Sequence, residues 1–358
     1  MSRFLSDRYR SLDVYVPGEQ PADMQYIKLN TNESPYPPPP GVIAAISTGE
    51  IEKLCLYPNP DGVRLIAKLA EFYKVQPANI IIGNGSDELL AFFFLAFCDK
   101  ERGVCFPDIT YGFYPVYSEL YGIQYEQIPL KEDFSIDPAD YCGTGKNVVL
   151  ANPNAPTGIE LPQGDIEAIA SSNPNNVVLI DEAYVDFGAK SAVPLIGKYD
   201  NLLVMHTYSK ARSMAGARLA YAIGPAEIIE DLNKMKYSFN PYNVNRLTQI
   251  AGEAALREDV YYMDMRRKII ETRAFTAKRL RELGFTLTDS TANFVFARHP
   301  DISGFNLYAA LKDRGILVRH FTNPRISDFL RISIGTPEQM ETTLAAISVV
   351  LSSKIPSG

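Results

Sequence analysis

The stretch Val177-Val-Leu-Ile-Asp181 limits the fold of this 358-residue chain more than any other. An apolar, β-branched run with no polar face reads as a strand covered on both sides, as in a parallel sheet wrapped by helices. Its last residue is an acid. That places Asp181 at the carboxyl edge of the sheet, where open α/β folds hold their ligands. The bland alternative for Asp181 is a helix N-cap after a strand. Residues 41–240 alternate strands with helices, which predicts a large domain with a mostly parallel sheet flanked by helices. Residues 1–40 read as an extended N-terminal arm ending in the stiff run Pro37–Pro40, and the arm is expected to contribute to the small domain and to the ligand site. Residues 241–358 read as a smaller C-terminal α/β domain. Its elements are one long helical stretch over 244–283, strands near 293–298, 316–320 and 329–334, and a helix after Thr336.

Other segments carry candidate chemistry. In Thr207-Tyr-Ser209-Lys210, followed by Gly216 and Arg218, a lysine stands beside a hydroxyl residue and ahead of an arginine. A lysine amine in a tuned setting can attack a carbonyl. Ser209 and Arg218 are suited to a phosphate. Together they fit a Schiff-base lysine that holds a phosphorylated aldehyde, although a solvated loop lysine is also possible. Ile80-Ile-Ile-Gly83-Asn-Gly85-Ser86-Asp87 reads as a strand, a glycine turn and a helix start, where backbone N–H groups receive anions. It lacks the lysine of a P-loop and the third glycine of a dinucleotide fingerprint. A capped βα turn would look the same. Asn152-Pro-Asn154-Ala155-Pro156-Thr157-Gly158 is a stiff loop after a strand. Tyr111 could stack on a ring or pack in the core. Tyr184, three residues past Asp181, could donate to a phenolic oxygen.

In this order the glycine turn, the aromatic, the Asn-Pro loop, Asp-x-x-Tyr and Ser-Lys-x7-Arg resemble the aspartate aminotransferase superfamily, whose members are pyridoxal phosphate (PLP) enzymes of fold type I. Tyr15-Val-Pro-Gly-Glu19, Lys28-Leu-Asn-Thr-Asn32-Glu33, Leu56-Tyr57-Pro58, Gly315-Ile-Leu-Val-Arg319 and Leu330-Arg331-Ile-Ser-Ile-Gly335 narrow the resemblance to the histidinol-phosphate aminotransferases. The resemblance implies that Lys210 carries PLP as a Schiff base, with Asp181 on the pyridine nitrogen and Tyr184 on the ring oxygen. Gly85, Ser86, Ser209 and Arg218 would bind the phosphate, Asp87, Asn154 and Thr207 would be further cofactor contacts, and Tyr111 would lie against the ring. Tyr57 would reach the neighbouring subunit's site, making the enzyme a homodimer. Arg319 and Arg331 would meet the substrate's anionic group, with Tyr15 and Asn32 on the substrate side. The implied reaction is transamination between L-histidinol phosphate and 2-oxoglutarate, giving imidazole-acetol phosphate and L-glutamate. Aromatic amino-acid transamination, or PLP-dependent decarboxylation of a phosphorylated amino acid, would use the same cofactor residues. A PLP-binding regulator without turnover is the non-enzymatic alternative.

Two positions depart from the family's pattern. The asparagine that commonly contacts the ring oxygen is Ala155 here, so either Asn154 replaces it through a shifted loop or Tyr184 makes that contact alone. A weaker contact would raise the pH at which the lysine–cofactor link loses its proton. The usual glycine two residues after Arg218 is Ala220, to which no function attaches.

Composition narrows the partners. The net charge of −7 argues against nucleic acid, and no apolar run is long enough to span a bilayer. The N-terminal sequence has no apolar signal core, so a cytoplasmic protein is expected. Four scattered cysteines and three distant histidines offer no metal-ligand spacing. Within the basic C-terminal stretch, Arg314 and Arg325 are read as surface ion pairs with Asp313 or Asp328, and His320 as a structural residue, with the border of the substrate site as its alternative place.

Overall fold

A computed structural model describes residues 3–353. In chain order its strands are β1 (Ile27–Leu29), β2 (Ile80–Gly83), β3 (Val104–Pro107), β4 (Tyr125–Ile128), β5 (Asn147–Ala151), β6 (Val178–Asp181), β7 (Leu202–Thr207), β8 (Ala220–Ile223), β9 (Thr286–Leu287), β10 (Phe294–Arg298), β11 (Ile316–His320) and β12 (Leu330–Ser333). Seven of them form the large sheet in the order β2-β8-β7-β6-β5-β3-β4. Its pairs are parallel from β4 to β7, while β8 runs antiparallel to both β2 and β7.

The unbroken apolar runs are explained by burial on two faces. Val148, Leu150, Val178, Ile180, Leu202 and Val204 enter one core with Leu65 and Leu69 of the helix Val63–Tyr73 and Ile166 and Ile169 of Gln163–Ser172. Val149, Leu179, Leu203 and Met205 point the other way. They meet Leu89 and Phe92 to Phe94 of the helix Ser86–Phe97, together with Tyr114 and Leu232. The period of two along each strand thus serves two layers at once. Each fully buried Leu, Val or Phe contributes roughly 1.5–3 kcal/mol.

The small sheet runs β1-β11-β12-β10-β9. β1 belongs to the arm and pairs in parallel with β11. Leu330, Ile332 and Ile334 face a core with Leu29, Val295, Met340 and Ile347. That leaves Arg331 and Ser333 on the opposite face, toward the large domain. The last helix, Pro337–Ser352, begins with a capping box between Thr336 and Gln339.

The long helix expected over 244–283 is two helices, Arg246–Arg257 and Asp259–Glu282, separated at Glu258. The first packs on the large sheet's helical layer, past the expected boundary at 240. Gly252 permits that approach, since a Cβ there would meet Leu219 and Leu65. Among the described residues no helix is long and apolar enough to cross a membrane.

Candidate active site

The carboxyl ends of β2, β6 and β7 and the start of β8 meet at one edge. Gly83 and Thr207 both pair with Ala220, and Asp181 pairs with Met205. A cavity of about 320 Å³ opens there, lined among others by Ser86, Asp87, Tyr111, Asp181, Tyr184, Thr207, Ser209, Lys210 and Arg218. At one end the helix Ser86–Phe97 presents its N-terminus. Gly85 precedes it at φ +81, and a Cβ there would collide with the Arg218 guanidinium. Only glycine lets the backbone lie this close to that cation. Ser209 is buried beside it. Its main-chain N–H and hydroxyl both bond Thr207 Oγ1, at 3.1 and 3.0 Å. Asp87 accepts from Arg218 Nη2 at 2.9 Å and from the Tyr111 hydroxyl at 2.8 Å, and so orients both.

At the other end Asp181 is buried. Its Oδ2 accepts from the Tyr114 hydroxyl at 3.1 Å, and its Oδ1 from the Ala183 N–H at 3.2 Å. Desolvation raises its pKa from the ordinary 3.8 to about 6, against the opposing pull of those two hydrogen bonds. Lys210 lies between the two ends. Its Nζ donates to the Thr31 carbonyl at 3.1 Å and stands 5.7 Å from the centre of the Tyr184 ring.

A second cavity of about 340 Å³ shares Thr31, Tyr111, Ala155, Tyr184 and Lys210 with the first and adds Tyr15, Asn32, Arg319 and Arg331. Tyr15 stacks on Phe113 with ring centroids 4.1 Å apart. Arg331 bonds the Asn30 carbonyl through Nη2 at 2.9 Å, while its buried Nε has no protein partner. Desolvation pushes its guanidinium pKa down, so an incoming anion would relieve a buried charge. Arg319 is differently placed. Its Nη atoms donate to the carbonyls of Val16 and Pro17, at 3.2 and 3.4 Å, and tie down the arm.

Residues 24–347 match the family described as aminotransferase class I and II. The histidinol-phosphate aminotransferase of Brachyspira hyodysenteriae is 48% identical over 352 residues, covering 98% of this chain and 99% of that protein. The Marinomonas sp. histidinol-phosphate aminotransferase is 50% identical over 353 residues, covering 98% and 100%. This chain belongs to the histidinol-phosphate aminotransferase family. In fold it is similar to the histidinol-phosphate aminotransferase from Sinorhizobium meliloti solved in complex with pyridoxal-5'-phosphate, at a TM-score of 0.87, 24% identity and 99% coverage of both chains.

The residues present fit the cofactor that such a family implies. The Gly85 cradle, Ser86, Ser209 and Arg218 make an anion receiver, Asp181 is a carboxylate for a ring nitrogen, and Lys210 is an amine between them. Asn154 does not take part. Its Nδ2 donates to the Ile109 carbonyl at 2.9 Å and to Thr157 Oγ1 at 3.1 Å, and its Oδ1 accepts from Thr110 at 2.8 Å. It is buried beneath the loop, outside both cavities, and Ala155 faces them instead. The shifted-loop expectation therefore fails. Tyr57 is 77% exposed, stacked on Tyr242, and away from this chain's own cavities. Asn32 lines the second cavity, but both polar atoms of its side chain have protein partners, Tyr184 and Ser333. Arg325 pairs with Asp108 at 2.6 Å rather than with Asp328, and His320 bonds the Ser327 carbonyl outside both cavities. Sequence reasoning missed Tyr114 and the Thr31 carbonyl. A tyrosine buried to 0% exposure needs a partner for its hydroxyl, but nothing local names that partner as Asp181.

Proposed function

We infer that this chain transfers the amino group of L-histidinol phosphate to 2-oxoglutarate, releasing imidazole-acetol phosphate and L-glutamate. The observation that carries the reading is the placement of Lys210, Asp181, Ser86, Ser209 and Arg218 around one cavity. When bound, PLP supplies the aldehyde that takes up the amino group and a protonated ring that accepts electrons from the α-carbon. Asp181 keeps a proton on the ring nitrogen, because a buried carboxylate is stabilised by a cation beside it. Lys210 Nζ, freed when the substrate amine arrives, takes the proton from the substrate α-carbon and moves it across the face of the site. Tyr184 and Tyr111, both lining the cavity, would help hold the ring. Arg331 binds the anionic end of each substrate, phosphate in the amino donor and carboxylate in the acceptor, and this shared anion lets one site serve both half-reactions.

The active form in this reading is a homodimer, with Tyr57 completing the neighbour's cofactor site. Support comes from the strip around it, where Ile51, Leu54, Leu56 and Tyr242 are all 43–59% exposed. An exposed apolar surface of this kind marks an interaction face. The setting is the cytoplasm, where four free cysteines stay reduced.

The test is a single half-reaction. L-Histidinol phosphate added to PLP-loaded protein should abolish the cofactor's visible band and release imidazole-acetol phosphate, and L-phenylalanine should do so more slowly. Carbon dioxide release from L-phenylalanine, or a band indifferent to L-histidinol phosphate, would refute the assignment. Lys210→Ala should show no turnover at all.

A further inference from the structure

Asn32 takes φ +54, in the left-handed region, with its side chain buried. Four hydrogen bonds hold it. Its N–H donates to Ser333 Oγ at 2.9 Å, and Ser333 Oγ bonds its Oδ1 at 2.9 Å. Asn293 Nδ2 donates to its carbonyl at 3.0 Å, and its Nδ2 donates to the Tyr184 hydroxyl oxygen at 3.0 Å. The first of these bonds orders the others. Ser333 Oγ accepts the main-chain N–H and donates its one hydrogen to Oδ1, which leaves the amide's NH₂ facing Tyr184. Tyr184 therefore accepts from Asn32, and its own hydrogen is left to donate elsewhere. A hydroxyl that accepts one bond donates a stronger second one.

The preceding residue makes the companion contact, since the Thr31 carbonyl holds Lys210 Nζ. Two consecutive residues of the arm thus grip the amine and the phenol. Ala155, facing both cavities, has no donor to add.

We propose that Asn32 is a positioning residue: held by Ser333, it fixes Tyr184 as the donor to the cofactor's ring oxygen and so supplies, through Tyr184, the stabilisation that alanine at 155 cannot give. This rests on the PLP reading above. A donor to the ring oxygen favours its anionic form. That lowers the pH at which the proton shared between the lysine nitrogen and the ring oxygen is lost, and the proton's loss is visible in the bound cofactor's absorbance.

The experiment is a pH titration of that absorbance in PLP-loaded wild type, Asn32→Gly, Ala155→Asn and the double variant. Glycine accepts the positive φ while removing the amide. Asn32→Gly should raise the midpoint by about one unit, the size of one charge-assisted hydrogen bond. Adding Ala155→Asn should bring it back toward the wild-type value. If Asn32→Gly does not fold, Ser333→Ala, which frees the amide to turn, should shift the midpoint in the same direction by less. A wild-type midpoint in folded, loaded Asn32→Gly or Ser333→Ala would overturn the proposal, as would a rise that Ala155→Asn leaves untouched. A wild type that takes up no PLP would overturn both this and the function on which it rests.

Discussion

Burial of Asp181 has a cost that the cofactor should repay, and the cost can be measured in cofactor-free protein. The unfolded chain ionises this acid at its ordinary value of 3.8, whereas the folded protein does so at about 6. With the folded pKa raised, the contribution to stability is full below about pH 4 and is lost as pH rises through about 6. A gap of about two units corresponds to roughly 3 kcal/mol. Integration puts about 2 kcal/mol of this between about pH 4.5 and pH 7.5. With an unfolding entropy of about 2.1 cal/mol/K per residue over 358 residues, this becomes a Tm shift of roughly 3 °C. Asp181→Asn keeps the shape and removes the titration, so surface groups cancel in the comparison. Melting should show the wild-type minus variant gap falling by that amount from the acid to the neutral condition. Added PLP should restore the gap, because a ring cation beside the carboxylate favours its charged form. A gap equal at the two pH values would refute the claim that desolvation governs this group.

Further perturbations probe the other parts of the site. Gly85→Ala places a Cβ against Arg218 at φ +81 and should weaken PLP binding by roughly 10- to 100-fold, read by titrating the cofactor; an unchanged Kd would remove the cradle from the phosphate site. Arg331→Lys keeps the charge but loses the planar fork, so KM for both anionic substrates should rise by about tenfold or more while kcat moves less. If only one substrate suffers, the two anions do not share this arginine. Mixing inactive Tyr57→Ala with inactive Lys210→Ala should regain up to about a quarter of wild-type activity, because half the dimers then carry one intact site. Failure to regain any, with heterodimers demonstrated, would place Tyr57 outside the neighbour's site.

Residues fixed by local geometry were readable from the sequence. Asp181 follows from a doubly covered strand, Gly85 from a strand–turn–helix, and the Lys210 segment from residue types at close spacing. The orientation of Asn154 was not readable. Its amide is captured by Ile109 and Thr110, more than forty residues upstream, and only the fold brings that loop over it. Asn32 and Ser333 lie 301 residues apart, and neither alone suggests a bond to the Tyr184 phenol. Arg319 had the right chemistry for an anion, but its bonds go to arm carbonyls whose position depends on β1 joining the small sheet. The helix break at Glu258 escaped notice because the apolar pattern runs through it, while its two sides dock on different cores.

The antiparallel course of β8 has a consequence for what the site can admit. Because β8 runs against β7, the chain leaves the sheet at Thr207 and returns at Ala220 on the same rung. A right-handed parallel crossover would have carried it to the far end of the sheet. Lys210 and Arg218 are therefore two points on one closed loop with both feet on a common anchor, and seven residues separate them. That interval behaves as a ruler: it sets the span between the amine and the anion receiver, and with it the length of molecule that can touch both. One residue inserted between them should change that gauge while leaving each group intact.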